Sequence, residues 1–181
     1  MGKKIVVLTG SPRKGGNSFA MTDAFIKAAE AKGHTVTRFD TAFMNIGGCR
    51  ACETCFKTGK ACSFDDDFNT MAPAIEEADA LVFTMPVYWY TVPAQLKAAI
   101  DKMFSFSMGG RPFKGKEAAL IACCEESDPS VMDGVRFFFE RTAALANWTN
   151  VGEVLIPGVW EAGAIEKTDG CTQAAALADK I

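Results

Sequence analysis

A glycine-rich stretch at residues 10–18 has the residue types of an anion-binding turn. Its polar and flexible members are Gly10, Ser11, Arg13, Gly15, Gly16 and Ser18. The stretch follows an apolar run at residues 5–9 and precedes a helical pattern that starts at Phe19. The free N–H groups and the positive dipole end of a helix's first turn attract anions. We therefore predict a phosphate site here.

Two better-known phosphate motifs do not match this stretch. A Walker loop requires Gly-Lys-Ser/Thr after Gly15, whereas this chain continues with Gly-Asn-Ser. Pro12 stands where the dinucleotide fingerprint has its second glycine. The alternative to an anion site is an ordinary strand-to-helix turn in which Ser18 caps the helix.

A second group of residues that could do chemistry is a cluster of four cysteines: Cys49, Cys52, Cys55 and Cys62. Two-residue spacings let consecutive thiolates bind one metal ion or small cluster. Three cysteines in succession at this spacing are typical of a cubane iron–sulfur cluster. Zinc sites usually pair two separated Cys-x2-Cys units, so the compact spacing suits zinc less well. We predict that these cysteines are metal ligands; a structural or dimer-contact loop with free thiols is the alternative.

Two further segments of unusual composition follow predicted strands. Residues 86–90 contain Tyr88, Trp89 and Tyr90, and residues 123–127 combine cysteines with acidic and polar side chains. Aromatic rings beside free amides suit a flat heteroaromatic ligand, and FMN has that shape with a phosphate at one end. Packing in the core or at an interface is the alternative for the aromatic residues.

The elements that must position these segments alternate along the chain. We predict strands at residues 4–9, 34–40, 80–85, 117–123 and 151–156. We predict helices at residues 19–32, 65–78, 93–103, 128–148 and 172–180. Alternation of this kind gives parallel strands with helices on both faces. The sequence therefore predicts an α/β, doubly wound sheet whose ligand binds beyond the carboxyl ends of the strands.

Two details of the predicted helices bear on the site. The acids Asp65, Asp66 and Asp67 are expected to cap the helix at residues 65–78, because the first turn of a helix favours negative charge. The helix at residues 128–148 is expected to bury a stripe that includes Leu145.

Composition favours one ordinary globular domain, which we place at residues 1–181. Apolar residues make up 49% and charged residues 23% of the chain. The net charge of −3 argues against nucleic-acid or anionic-membrane partners. Seven cysteines are an odd number for a disulfide framework, and no leader or bilayer-length apolar run is visible. We expect a cytoplasmic protein.

The segments at residues 9–18 and 86–101 together resemble the NADPH-dependent FMN reductases of the flavodoxin-like superfamily. The resemblance covers nearly the whole chain. It implies a flavodoxin-like, three-layer fold with a five-stranded parallel sheet of order 2-1-3-4-5. It also implies FMN as cofactor, NAD(P)H as electron donor and a homodimer. The flavin would carry the chemistry, so no catalytic side chain is predicted.

The resemblance can be carried over residue by residue. The phosphate of FMN would be held by Ser11, Arg13, Asn17 and Ser18. The ring would be bordered by Pro86, Val87, Tyr88 and Trp89, with Cys123 and Glu125 in the polar wall after the fourth strand.

The cysteine cluster is similar to the iron–sulfur flavoprotein branch of this family, in which a compact cysteine motif before the second helix holds a [4Fe–4S] cluster. The Asp-Asp-Asp-Phe run at residues 65–68 also resembles that branch. The implied function is an NAD(P)H oxidoreductase that passes electrons through the cluster to a small-molecule or protein acceptor. Two alternatives stay open: a flavodoxin-like electron carrier, and a zinc-loop binding module with a vestigial flavin pocket.

Overall fold

The computed structural model describes residues 2–181. The strands are β1 (Lys4–Thr9), β2 (Thr35–Asp40), β3 (Ala80–Pro86), β4 (Glu117–Cys123) and β5 (Thr149–Ile156). The helices are α1 (Asn17–Ala31), α2 (Thr54–Thr58), α3 (Phe68–Glu77), α4 (Ala94–Lys102), α5 (Phe104–Met108), α6 (Asp133–Ala146) and α7 (Gly170–Leu177). Short 3-10 turns lie at Thr41–Phe43, Pro129–Met132 and Ala164–Lys167.

The five strands form one parallel sheet of order β2-β1-β3-β4-β5, which confirms the predicted fold. The chain runs outward from β1 to β2 on one side and to β3 on the other. This reversal opens a crevice at the carboxyl ends of β1 and β3, where doubly wound sheets bind ligands. The last residue of β1, Thr9, lies opposite Thr84, and Pro86 lies opposite Cys123. The register thus brings the predicted site segments to one edge.

Each face of the sheet carries its own apolar core. Ile5 and Val7 of β1 pack with α1 and α7 on one face. Val6 and Leu8 pack with α3, α4 and α6 on the other face. Because β1 is covered on both sides, its sequence is a continuous apolar run instead of an alternation. The helices packed on both faces hold the sheet in place, and the strand ends position the residues of the site.

The predicted helix at residues 128–148 is divided in the structure. Pro129–Met132 forms a 3-10 turn, which Asp128 caps by accepting the backbone N–H of Ser130 at 2.9 Å. Helix α6 begins at Asp133, and its buried residues are Val135, Phe139, Ala143 and Ala146. Leu145 is 81% exposed, and its placement on the buried stripe was wrong.

The cysteine segment leaves the sheet after β2 and returns at α3. Apart from the short helix α2, residues 44–67 have no regular secondary structure. Their path is fixed by a few polar contacts that are described below. In the part of the chain that the structure describes, no helix has the length and apolarity needed to cross a bilayer.

Candidate functional site

The glycine-rich stretch forms a turn that leads directly from β1 into α1. The N–H of Gly10 donates to the carbonyl of Thr84 at 2.8 Å, which continues the pairing of β1 with β3. A Cβ at Gly10 would lie 3.1 Å from Cβ of Leu96 and 3.2 Å from Cγ of Pro93. Glycine is needed here because the start of α4 packs closely against the turn.

The first turn of α1 presents unpaired donors to this loop. The N-cap is Gly16, and the first helical hydrogen bond runs from the N–H of Ala20 to its carbonyl at 3.1 Å. The N–H groups of residues 17–19 precede that bond, so they have no carbonyl partner within the helix. Ser18 lies inside the helix and is buried, so the alternative of Ser18 as N-cap is wrong. The geometry is that of an anion-binding helix start.

A cavity of about 480 Å³ opens beside this turn, at the carboxyl ends of β1, β3, β4 and β5. All ten residues predicted to bind FMN line it: Ser11, Arg13, Asn17, Ser18, Pro86, Val87, Tyr88, Trp89, Cys123 and Glu125. The volume lies in the range of small-molecule and cofactor sites. Residues far apart in sequence therefore meet around one space.

The aromatic wall of the cavity is a strained turn. Tyr88 and Thr91 exchange two backbone hydrogen bonds of 3.0 Å, and the residues between them have positive φ. Trp89 has φ 48° and Tyr90 has φ 64°, values that normally select glycine or asparagine in such turns. Trp89 is also 92% exposed, so packing in the core does not explain it. Strain combined with exposure indicates a ligand or a partner.

One wall of the cavity was missed by the sequence prediction. It follows β5 and consists of Val159, Trp160 and Ala162. The side-chain amide of Asn17 holds this wall: its Nδ2 donates to the carbonyls of Val159 at 3.2 Å and Glu161 at 2.9 Å. Its Oδ1 accepts the N–H of Ile165 at 3.3 Å. The available signal was that the carboxyl end of β5 lies at the same sheet edge as the other strand ends.

These bonds change the role that Asn17 can play. Both amide hydrogens are engaged with the wall after β5, so the side chain positions that wall, and only the backbone N–H of Asn17 remains free for an anion. In the same region the guanidinium of Arg13 lies 5.7 Å from the ring centre of Trp160. Arg13 itself is exposed at the cavity mouth.

The two cysteines beside this cavity are buried, which disfavours their ionised form. Burial raises the pKa of Cys123 to about 12, with a smaller contribution from Cys124. Burial also raises the pKa of Cys124, whose Sγ donates to the carbonyl of Glu126 at 3.3 Å. Neutral, buried thiols are poor nucleophiles, so this environment favours a role for both residues in shaping the wall. Glu125 is exposed at the rim.

The four cysteines predicted as metal ligands surround a separate, small cavity of about 30 Å³. Cys49 and Cys52 are exposed, whereas Cys55 and Cys62 are partly buried. The N–H and hydroxyl of Thr54, with a contribution from Ser63, lower the pKa of Cys52 to about 7. Burial raises the pKa of Cys55, and the neighbouring Cys52 and Cys62 raise it further.

The four cysteines are not arranged as a metal site in the structure. Within residues 2–181, no group of three or more His, Cys, Asp or Glu side chains is arranged to hold a metal ion. The donor set has the chemistry of an iron–sulfur or zinc site, and all four cysteines face one cavity, but their sulfur atoms do not converge. Metal binding by these cysteines stays a prediction.

Acidic residues at the end of the loop anchor it to the fold. Asp66 accepts the N–H of Gly47 at 3.0 Å and pairs with Lys102, whose side chain is 3% exposed. Asp67 accepts the N–H of Asn45 at 2.7 Å. Helix α3 begins at Phe68, three residues later than predicted, and Asp67 at its N-cap makes no capping hydrogen bond. The expectation that the acids cap this helix holds only for Asp66, which accepts the N–H of Phe68 at 3.2 Å.

The parallel sheet of order 2-1-3-4-5, the anion-binding turn after β1 and the cavity at the strand ends define the flavodoxin-like class of proteins. The sequence profile of one family in this class, described as NADPH-dependent FMN reductase, matches residues 3–130. The chain therefore belongs to the NADPH-dependent FMN reductase family.

Two archaeal relatives share substantial sequence with this chain. An iron-sulfur flavoprotein of Archaeoglobus fulgidus is 40% identical over 119 residues, which cover 65% of this chain and 53% of that protein. An iron-sulfur flavoprotein of Methanosarcina thermophila is 31% identical over 122 residues, which cover 66% of this chain and 62% of that protein. The match thus spans little more than half of each relative's length.

Solved structures with the same fold cover the whole chain. An NAD(P)H:quinone oxidoreductase from Methanothermobacter marburgensis superposes with a TM-score of 0.77 at 18% identity, covering 99% of this chain and 96% of that one. An azoreductase from Bacillus anthracis superposes with a TM-score of 0.75 at 20% identity, covering 99% and 100%. At these identities the likeness supports the fold alone.

Proposed function

We propose that this chain, as a single domain at residues 1–181, is an FMN-dependent oxidoreductase that accepts electrons from NADH or NADPH. The observation that carries this proposal is the 480 Å³ cavity, because it joins the free N–H groups of α1 to the aromatic turn after β3. Membership of the NADPH-dependent FMN reductase family supports the choice of FMN and of a nicotinamide donor.

The residues around the cavity suit FMN at both ends. The phosphate would be held by the N–H groups of residues 17–19, the hydroxyls of Ser11 and Ser18 and the guanidinium of Arg13. The ring would lie against residues 86–89, with Cys123 and Glu125 in the adjoining wall after β4. FMN, when bound, supplies hydride acceptance and transfer of one or two electrons. The protein's own part is to orient the ring and to limit access of water.

We further propose that Cys49, Cys52, Cys55 and Cys62 hold a [4Fe–4S] cluster that exchanges electrons with the flavin site. Two observations support this: the four cysteines line one cavity, and the archaeal relatives are named iron-sulfur flavoproteins. The cavity of about 30 Å³ has the volume of roughly one water molecule, so the exposed thiols must move outward to admit a cluster.

The first test is FMN binding by wild type and by matched variants of the opening turn. Arg13→Ala removes a cation that lines the cavity, whereas Lys14→Ala removes its exposed neighbour, which does not line it. Because a hydrogen bond to a charged group contributes about 1.5–3 kcal/mol, we expect Arg13→Ala to bind FMN roughly 10–100-fold more weakly and Lys14→Ala to match wild type. Wild type that stays colourless after FMN is added would reject the proposal in favour of a binding module.

The second test separates an enzyme from a carrier. FMN-loaded protein is mixed anaerobically with NADH or NADPH and an artificial quinone acceptor, and oxidation of the nicotinamide is followed by absorbance. We expect turnover with at least one of the two donors. A flavin that is not reduced by either donor, but is reduced by dithionite, would instead indicate an electron carrier.

We also propose a homodimer in the cytoplasm. The exposed Trp89 and Trp160 at the cavity mouth suit contact with a second copy of the chain. All seven cysteines are free thiols, which fits a reducing compartment. Sedimentation of FMN-loaded protein tests the dimer, and a monomer at micromolar concentration would contradict it.

A further inference from the structure

The floor of the cysteine cavity contains a buried hydroxyl that has no partner. Ser105 of α5 lines the cavity together with the four cysteines. The residue is only 4% exposed, and its Oγ finds no hydrogen-bond partner in the part of the chain that the structure describes. Buried hydroxyls are normally satisfied, so an orphaned one beside a cavity points to a ligand in that cavity.

Within its own helix, Ser105 uses its backbone but not its side chain for hydrogen bonding. A helical serine often donates to the carbonyl four residues earlier, but the Oγ of Ser105 makes no such bond. The Ser105 carbonyl accepts the N–H of Gly109 at 2.9 Å, so its backbone is engaged while its side chain is not. The short helix therefore positions the hydroxyl, and the hydroxyl makes no hydrogen bond within that helix.

A buried cation lies on the same floor. Lys102, at the end of α4, lines the cavity and pairs with Asp66. Its ammonium carries three N–H donors, and Asp66 is the one acceptor recorded for it among residues 2–181. The lining of the cavity thus combines the hydrogen-bond donors of Ser105 and Lys102 with the sulfur atoms of the four cysteines. Hydrogen-bond donors beside cysteine sulfur atoms suit an anionic, sulfur-rich occupant.

We propose that the Ser105 hydroxyl donates a hydrogen bond to a sulfur atom of the iron–sulfur group bound by the cysteines, and so raises its reduction potential. This inference rests on the proposed function, because it needs the cysteines to bind such a group. The physical reason is that a donor to sulfur stabilises the more negative, reduced form of the group more than the oxidised form. Ser105 acts as a positioning and tuning residue and is not a ligand.

The experiment compares Ser105→Ala with Ser107→Ala, which lies in the same short helix but does not line the cavity. Both variants and wild type are reconstituted anaerobically with ferrous iron and sulfide. Bound iron and sulfide are counted, and the midpoint potential is measured by redox titration followed by electron paramagnetic resonance. The unfolding midpoint of the metal-free proteins in urea is measured in parallel.

We expect Ser105→Ala to bind the same amount of iron and sulfide as wild type, with a reduction potential lowered by about 59 mV, equal to a tenfold loss in affinity for one electron. Ser107→Ala should have the wild-type potential. Metal-free Ser105→Ala should be at least as stable as wild type, because the substitution removes an unsatisfied hydroxyl. A hydroxyl with a purely structural role predicts the reverse: lower stability and an unchanged potential.

Three results would overturn the inference. An unchanged potential in loaded Ser105→Ala would refute the role of Ser105 and leave the cluster intact. An equal shift in Ser107→Ala would show that the effect is not specific to the cavity. Wild type that takes up neither iron nor sulfide would remove both the cluster and the inference.

Discussion

The cavity at the sheet edge and the cysteine loop are built in opposite ways. The cavity is framed by the ends of four strands, whose positions are fixed by the backbone pairing of the sheet. The cysteine loop has no such frame, and Ala51 and Glu53 both have positive φ, at 51° and 56°. One space measures about 480 Å³ and the other about 30 Å³. The first cavity already has the volume of a cofactor site, whereas the second would have to widen to admit a cluster.

This difference follows from where the backbone hydrogen bonds are made. At the sheet edge, Gly10 and Val87 extend the ladder beyond the strands, with bonds of 2.8 Å to Thr84 and 2.9 Å to Cys123. In the cysteine loop the backbone depends on side chains, chiefly Asp66 and Asp67. A ligand of the first site binds to a surface that is already ordered. Binding at the second site is weakened by the free energy that is needed to order the loop.

The largest expected difference between the two regions is in local stability. In ligand-free protein, amides of β1 and β3 should exchange with solvent only on global unfolding, whereas those of residues 49–62 should exchange by local opening. With a stability of about 5 kcal/mol or more, the rates should differ by about 10⁴-fold. Hydrogen exchange followed by mass spectrometry checks this. Comparable protection in both regions would contradict the proposed difference in local stability. Loading with iron and sulfide should slow exchange in the loop alone.

The buried ion pair beneath the loop should dominate its attachment to the fold. Lys102→Ala leaves Asp66, with a side chain 9% exposed, as an unpaired buried carboxylate, and should cost about 3–5 kcal/mol in urea unfolding. The matched control is Lys97→Ala, which breaks the exposed pair with Asp101 in α4 and should change stability by no more than about 0.5 kcal/mol. Equal effects would mean that the pair under the loop is as solvent-screened as the one on the surface.

A smaller effect is expected where the two halves of the flavin cavity are joined. Asn17→Ala removes the donors to the carbonyls of Val159 and Glu161 without placing a negative charge beside the proposed phosphate site. The wall after β5 should loosen, and we expect FMN to bind about tenfold more weakly, from the loss of roughly 1–1.5 kcal/mol of hydrogen bonding. Quenching of flavin fluorescence gives the affinity. Unchanged binding, with an unchanged thermal midpoint, would show that this wall is not needed.

The smallest effect concerns the strained turn. Trp89→Gly relieves a positive φ of 48° at a side chain that is 92% exposed, so stability should rise by up to about 1 kcal/mol. Trp89→Ala keeps the strain and should stay within about 0.5 kcal/mol of wild type. Chemical unfolding of both variants tests this. A clear loss of stability in either one would mean that Trp89 is a packing residue, within the monomer if the loss is independent of protein concentration and between two copies of the chain if it is not.

The contrast between the regions also explains what the sequence could predict. The order of strands and helices along the chain follows from apolar runs, and the rule that ligands lie at strand ends points to the segments that form the cavity. The individual residues predicted to bind FMN came from the resemblance to the FMN reductase family. The wall at Trp160 was missed because no motif marks it, and its place depends on the long-range bonds of Asn17. The exposure of Leu145 was missed because the buried face of α6 runs through Ala143 and Ala146, and small alanines mark a buried face less clearly than a leucine does.

The cysteine loop was predictable in composition but not in conformation. The spacing of Cys49, Cys52 and Cys55 identifies thiol chemistry, yet nothing local determines how the sulfur atoms are oriented. The acids at residues 65–67 were expected to cap a helix. Asp66 and Asp67 in fact bind backbone N–H groups about twenty residues away, a long-range interaction that periodicity does not reveal.

Those same contacts close the neck of the loop. Asn45 and Asp67 exchange hydrogen bonds of 2.7 Å and 3.0 Å, and Gly47 bonds to Asp66 beside them, so the two ends of the excursion are joined before the cysteines begin. Loop length costs little once the ends are held together. Residues 48–65 therefore form an excursion that is closed at its neck and is attached farther along by Ala61, which is buried in the core, and by Gly59, whose carbonyl accepts from Arg111. A segment grafted onto this neck should leave the sheet and its cavity intact only if it supplies an apolar side chain at the position of Ala61.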